Sequence, residues 1–163
     1  MERIWLDDNL NIKKLDPNDP KDVYLANQLD KDPLISGING YLYPIGVTFN
    51  DIRYLFRDGL YQSPYGIYVQ EKPVGFIELS DILVIKNKKT VDICYALLES
   101  ERKKGYASKT LLEISKKILL DVQKISLLID SSNIPSQNVA KRAGFVEDTF
   151  IHFDGLVGYQ KTK

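Results

Sequence analysis

The stretch Glu101-Arg102-Lys103-Lys104-Gly105-Tyr106-Ala107-Ser108 decides how this chain is read. It follows the apolar run Val91 to Leu98 and precedes a segment whose apolar residues recur at helical spacing. A strand, a short basic loop and a helix start are therefore adjacent. The first turn of a helix leaves N–H groups without intrahelical partners, and the macrodipole adds partial positive charge. Phosphate groups bind at such a place. Gly105 and Ala107 keep bulk away from the backbone, while Arg102, Lys103 and Lys104 set charge at the rim. A dinucleotide fingerprint needs more glycines, and a P-loop needs Gly-Lys-Ser/Thr, so neither fits. The plain alternative is a basic surface loop that merely ends a strand.

Downstream, a helix over Ser108 to Val122 turns Leu111, Leu112, Ser115, Ile118, Leu119 and Val122 inward, and Lys109, Glu113, Lys116 and Lys117 to water. Ile125 to Ile129 reads as a buried strand. Then comes Asn133-Ile134-Pro135-Ser136-Gln137-Asn138-Val139-Ala140-Lys141-Arg142-Ala143-Gly144-Phe145. Asn133 and Ser136 suit a helix cap, Pro135 its first turn, and Gly144 its C′ position. Phe145 to Ile151 and Leu156 to Gln160 read as strands around the turn Asp154-Gly155.

Upstream, Leu10 to Leu15 reads as a first strand, stopped by Asp16-Pro17-Asn18-Asp19-Pro20, and Val23 to Leu29 as a short helix. Pro33 to Gly46 reads as a Gly/Tyr/Pro-rich loop. Thr48-Phe49-Asn50-Asp51 resembles a capping box, for a helix with Ile52, Leu55, Phe56 and Leu60 on one face. Tyr65 to Gln70 and Val74 to Leu79 form a hairpin across Glu71-Lys72-Pro73, and Lys86 to Lys89 is a polar turn. The order β α α β β β α β α β β describes an α/β (α+β) chain around a central mixed sheet.

Composition limits the function. At 163 residues the chain fits one domain, 1–163, with a sizeable core. Its 44% hydrophobic and 27% charged residues suit a folded globular protein. The 22 basic residues balance 22 acidic ones, so a general nucleic-acid binder is not expected. The single cysteine, Cys94, excludes an internal disulfide, and with the single histidine, His152, it cannot make a Cys/His zinc site; no metal is expected. Neither a signal-peptide core nor a membrane-spanning run is present, so the expected location is cytoplasmic, with no membrane partner.

The pattern Arg102-x-x-Gly105-x-Ala107, followed by Asn133-x-x-Ser136-x-x-Val139 and Gly144-Phe145, resembles the GCN5-related N-acetyltransferases (GNAT). Within them the chain is most similar to the branch acting on ribosomal-protein N-termini. The likeness is good over Val74 to Tyr159; the N-terminal third matches in element order alone. The resemblance implies a mostly antiparallel mixed sheet of six to seven strands flanked by helices. The fourth strand, Val91 to Leu98, would splay from the fifth near a bulge. Acetyl-CoA is then the co-substrate. Arg102, Gly105, Tyr106, Ala107 and Ser108 would hold its pyrophosphate, Leu97 and Asn133 would meet its pantetheine end, and Tyr95, Lys103, Lys104, Ser136 and Asn138 would also contact the cofactor. The implied reaction is direct attack of an amine on the thioester, with the Leu97 N–H stabilising the oxyanion. The acceptor would be a small-molecule amine or a protein N-terminus, and the protein a monomer or homodimer.

Two positions depart from certainty of role. Many family members place a tyrosine four residues before the glycine of Gly-Phe, as the acid for the leaving thiolate; here that residue is Ala140. Ser136 or a water can serve instead. For the base, Asp92 is best placed by resemblance and Glu78 is a second candidate, against the plain reading of Asp92 as a strand-end carboxylate in solvent. Cys94 reads as packing rather than an acyl carrier, and lone His152 has bland explanations. Tyr41 and Tyr43 could line an acceptor pocket or be ordinary half-buried tyrosines. Two rival functions share the same loop: a non-catalytic acyl-CoA-binding module, and a nucleotide or phosphosugar binder.

Overall fold

The structure, a computed structural model, describes residues 3–33, 35, 49–52, 64–79, 83–85, 88–151 and 153–163. The strands are β1 (Arg3–Trp5), β2 (Leu10–Lys14), β3 (Pro64–Val69), β4 (Lys72–Leu79), β5 (Leu83–Ile85), β6 (Lys88–Leu97), β7 (Lys124–Asp130), β8 (Val146–Glu147) and β9 (Leu156–Thr162). The helices are α1 (Pro20–Asp30), α2 (Phe49–Ile52), α3 (Tyr106–Ile118) and α4 (Ile134–Arg142). The sheet runs β1-β2-β3-β4-β6-β7-β9-β8, with β5 on β6. All pairings are antiparallel except β6 with β7. This is the mixed sheet expected, but with nine strands rather than six or seven among the described residues. The additions are short pieces, β1 and β5, too brief to show an alternation in sequence.

Local chemistry explains most element ends. Helix α1 begins earlier than Val23 because Asp19 caps it, accepting from Lys21 N–H at 2.9 Å, and Pro20 occupies its first turn. Helix α4 is capped by Asn133, whose side chain accepts from Ser136 N–H at 3.3 Å. It stops at Gly144, φ +85°. The strand expected over Phe145 to Ile151 contracts to Val146–Glu147. Asp148 ends it: its carboxylate accepts from Phe150 N–H at 3.1 Å and is ion-paired to Lys124 at 2.8 Å. The expected 52–60 helix face, the Pro33–Gly46 loop with Tyr41 and Tyr43, and His152 lie largely or wholly outside the described residues.

Two cores sandwich the sheet. On one face α3 buries Ala107, Leu111, Ile114 and Ile118 against Val91, Ile93 and Leu97 of β6 and Ile125, Leu127 and Ile129 of β7. Ile114 joins the stripe read from sequence, and Leu112 and Leu119 are only partly buried. On the other face Leu25, Ala26 and Leu29 of α1 pack with Phe49 and Phe76, and Cys94 and Ala96 of β6, with Leu98 just beyond it, lean on them. Strand β6 thus carries alternate residues into both cores.

Candidate active site

The site starts where β6 and β7 part. They pair in parallel at Thr90↔Lys124, Val91↔Ile125 and Asp92↔Ser126 only. Beyond Asp92, β6 continues along β4 to Leu97, while β7 continues along β9 to Asp130. A wedge opens between them. The expected splay is present; the expected bulge is not in β6, whose register with β4 is unbroken from Ile93 to Leu97. The register shift falls between β3 and β4, at Ile67/Tyr68.

Backbone groups face into the wedge. Leu98 N–H donates to Val74 C=O at 2.9 Å. Antiparallel partners alternate between bonded and non-bonded pairs. Leu98, Ala96 and Cys94 therefore bond to β4, and the N–H and C=O groups of Leu97, Tyr95 and Ile93 point away from it, towards β7. Gly75 lies opposite Leu97, and a Cβ there would sit 2.3 Å from the Ala96 carbonyl oxygen, so only glycine allows this close pairing.

The loop after β6 closes the mouth of the wedge. A 3₁₀ turn at Glu99–Glu101 leads to Lys103, φ +62°, and Gly105, φ +83°. Gly105 is the N-cap of α3 and has no side chain to cap it. The first N–H groups of α3 consequently have no side-chain cap. A Cβ built on Gly105 meets nothing within 4 Å, so the approach is open. Ser108, in this first turn, has a buried hydroxyl with no partner among the described residues. A buried orphan hydroxyl beside uncapped N–H groups is chemistry suited to a phosphate.

The charges read from the loop sequence are largely committed within the fold. Lys104 Nζ pairs with buried Glu101 at 3.0 Å, and Glu101 also pairs with Lys72. Lys109 pairs with Asp7. Arg102 Nε donates to the Leu97 carbonyl at 3.2 Å, and its other end pairs with Asp32. Lys103 is exposed. At this helix end the uncapped backbone N–H groups, more than the cations, are what the fold leaves open to an anion.

Across the wedge, Tyr95 of β6 reaches α4. Its hydroxyl lies 2.9 Å from Ser136 Oγ and 3.2 Å from the Ser136 carbonyl oxygen. Burial pushes the Tyr95 phenol up to about 12, and the Ser136 hydrogen bond opposes that. Tyr95 on β6 is thus brought to Ser136, which Asn133 also bonds as the α4 cap, while Leu97 ends β6 and Asn138 is exposed on α4. Ala140 is fully buried in the core, where it carries no proton.

The carboxylates, Asp92 on β6 and Glu78 on β4, lie on the other face of the sheet, the one that α1 covers. Asp92 is hydrogen-bonded to Ser126 Oγ at the closed end of the wedge. Burial raises its pKa, and Lys124 nearby works against the rise. Asp92 is therefore not a solvent carboxylate. Glu78 pairs in register with Cys94, and Cys94 Sγ lies 3.6 Å from Glu78 Oε2. Burial, then Glu78, pushes the Cys94 thiol well up, which removes it as a nucleophile. Asp32 and Ser126 were missed in the sequence reading, because their partners are 70 and 34 residues away and no local pattern marks them. Among the described residues no group of three or more His, Cys, Asp or Glu comes together as a metal site, and no helix is long and apolar enough to cross a membrane.

Comparison with known proteins gives the same architecture. The family described as Acetyltransferase (GNAT) domain matches residues 9–146. No curated protein sequence matches. Among solved structures, RimL, a ribosomal L7/L12 alpha-N-protein acetyltransferase, superposes with a TM-score of 0.77 at 18% identity, covering 99% of this chain and 94% of that one. A GNAT-family acetyltransferase from Bacillus anthracis gives 0.76 at 16% identity, covering 99% and 98%. AAC(6')-Ib, in complex with paromomycin and acetyl-CoA, gives 0.72 at 18% identity, covering 96% and 94%. At these identities the structures speak for the fold. With the family match spanning most of its length, the chain belongs to the GNAT acetyltransferase family.

Proposed function

We propose that this protein transfers an acetyl group from acetyl-CoA to a primary amine by direct attack on the thioester. One observation carries the reading: a wedge, along which β7 no longer pairs with β6, runs to an uncapped helix N-terminus with a buried hydroxyl that has no partner among the described residues. Acetyl-CoA supplies an activated thioester carbonyl. The first N–H groups of α3 and Ser108 Oγ hold its pyrophosphate. The peptides of Leu97 and Tyr95 pair with its arm as a strand would, and an N–H from this pair stabilises the oxyanion as charge develops. Asn133, already occupied as the α4 cap, supports Ser136 rather than acting alone.

The proton transfers are assigned by position. The hydroxyl pair Tyr95–Ser136 is the proton source for the leaving thiolate, standing in for the tyrosine that Ala140 replaces. Glu78 is preferred to Asp92 as the base. Asp92 lies five residues from Leu97, about 16 Å along the strand, and is engaged by Ser126 where the wedge is shut. Glu78 sits level with Cys94, only about 10 Å from Leu97 along the strand, on the face turned to α1 and α2. An α-amine, pKa about 8, is partly neutral without help and needs the base less than a lysine amine does.

The acceptor is a protein N-terminus or a small-molecule amine. RimL acts on ribosomal L7/L12, and AAC(6')-Ib is found with paromomycin, so the fold accommodates both classes. Release of free CoA thiol, measured against a panel of N-terminal peptides and small amines, tests the proposal. Glu78→Gln is expected to lower kcat about 100-fold or more, with Asp92→Asn costing less than Glu78→Gln. Tight CoA binding with background turnover on every amine would instead leave a non-catalytic acyl-CoA-binding module.

A further inference from the structure

Arg102 holds the first position of the phosphate-loop pattern, yet its guanidinium turns away from the helix N-terminus. Nε donates to the Leu97 carbonyl at 3.2 Å, and Nη2 of the same guanidinium pairs with Asp32. Asp32 is only 12% exposed, and it lies just past the C-terminus of α1, where its own N–H donates to Leu29 C=O at 3.1 Å and its C=O accepts from Ile35 N–H at 3.0 Å. One planar cation therefore joins three things: the last residue of β6, the loop that follows it, and the segment leaving α1.

We propose that Arg102 is a positioning residue, a strut between the donor side and the acceptor side of the site, and not a ligand of the pyrophosphate. The inference rests on the acetyltransferase reading for its functional consequence, though the strut itself does not. The physical argument concerns Leu97. Its C=O points away from β4, while the other edge of the same peptide, the Leu98 N–H, donates to Val74 C=O, so β4 holds only one edge of that peptide. A charge-assisted bond from Arg102 holds the carbonyl edge, so the end of β6 is fixed on both sides where it leaves the sheet for the loop. Asp32 holds the guanidinium in place, and the fork geometry lets Arg102 serve both partners at once, which the single ammonium of a lysine does poorly. Through the same contact Asp32 and Ile35, on the α1 face where Cys94 packs, are tied to the loop after β6.

The test compares Arg102→Gln, Asp32→Asn and the double variant, with three readouts. CoA affinity by calorimetry, at low and at high salt, is expected to stay within about threefold of the parent, because the phosphate is held by backbone. Turnover is expected to fall about tenfold in kcat, with KM for acetyl-CoA little changed and the double variant no worse than either single one. Amide exchange over residues 31–35 is expected to accelerate in all three variants, whether or not the protein binds CoA. If Arg102→Gln weakens CoA more than tenfold in a salt-dependent way while Asp32→Asn does not, Arg102 is a phosphate ligand and the strut is wrong. If exchange over 31–35 is unchanged, the strut is wrong even in a fully active enzyme. A parent that binds no CoA, with faster exchange in the variants, sinks the acetyltransferase reading and leaves the strut standing.

Discussion

Replacing Gly105 with glutamate separates backbone strain from loss of the anion site. Gly105 has φ +83° and open space where a Cβ would go. Alanine therefore meets no clash and pays only for the left-handed backbone, about 1–2 kcal/mol. A chain of this size loses about 2–4 °C in Tm per kcal/mol, so Gly105→Ala should melt about 2–8 °C lower and still respond to acetyl-CoA. Glutamate adds the same strain and puts a carboxylate at the uncapped N–H groups. A unit charge about 6 Å from one phosphate charge costs about 3 kcal/mol at an effective dielectric of 20, close to a 150-fold loss of affinity. With ligand at 100 times the parent Kd, the parent gains about 2.7 kcal/mol, a rise of about 5–11 °C. Gly105→Glu should retain only about 0.3 kcal/mol, about 1 °C. Differential scanning fluorimetry with and without acetyl-CoA reads both variants. An equal rise in Gly105→Glu and the parent would refute a phosphate site at this helix end.

Tyr95→Phe removes the bridge to Ser136 and should cost about 1 kcal/mol in urea unfolding; because the two share one hydrogen bond, Tyr95→Phe with Ser136→Ala should cost less than the sum, and strict additivity would mean no coupling. Asp7 is held down to about 2 by the Lys109 hydrogen bond, with the N–H groups of Leu10 and Asn9 adding to it. A depressed carboxylate stabilises the fold above its unfolded pKa and loses that as pH falls through the folded one. The contribution should be full above pH 3.8, fade towards about 2, and vanish in Asp7→Asn; an unchanged acid limb in the variant would contradict it. Gly75→Ala would drive a Cβ to 2.3 Å from the Ala96 carbonyl oxygen and 2.9 Å from Leu97 Cα. Backbone cannot yield as a side-chain tip does, so about 3 kcal/mol of stability should go, together with much of the acetyl-CoA response; a variant as stable as the parent would show that β4 and β6 slide freely here.

The elements flanking the site were legible because their signals are local. The apolar period of α3, the cap at Asn133 and the stop at Gly144 all act within a few residues. The Phe145–Ile151 strand was overread because the Asp148 turn that ends it is stabilised by Lys124, an ion pair that spans 24 residues. The role of Asp92 was underread for a related reason: its neighbour Ser126 arrives through the parallel β6–β7 pairing, which alternation along one strand cannot announce.

By itself the sequence determined the longer strands and helices, the basic loop between β6 and α3, and the family. Those follow from propensity, capping and backbone chemistry confined to short windows. Only the tertiary structure decided what the charges do. Arg102 and Lys104 read as part of a basic rim and Lys109 as a solvent-facing lysine, yet each finds a carboxylate, in Asp32, Glu101 and Asp7 in turn. Only there, too, does Tyr95 meet Ser136 and does Glu78 come level with the open part of the wedge. Ion pairs and strand divergence depend on distances in space between residues far apart in the chain, and no spacing along the chain encodes them.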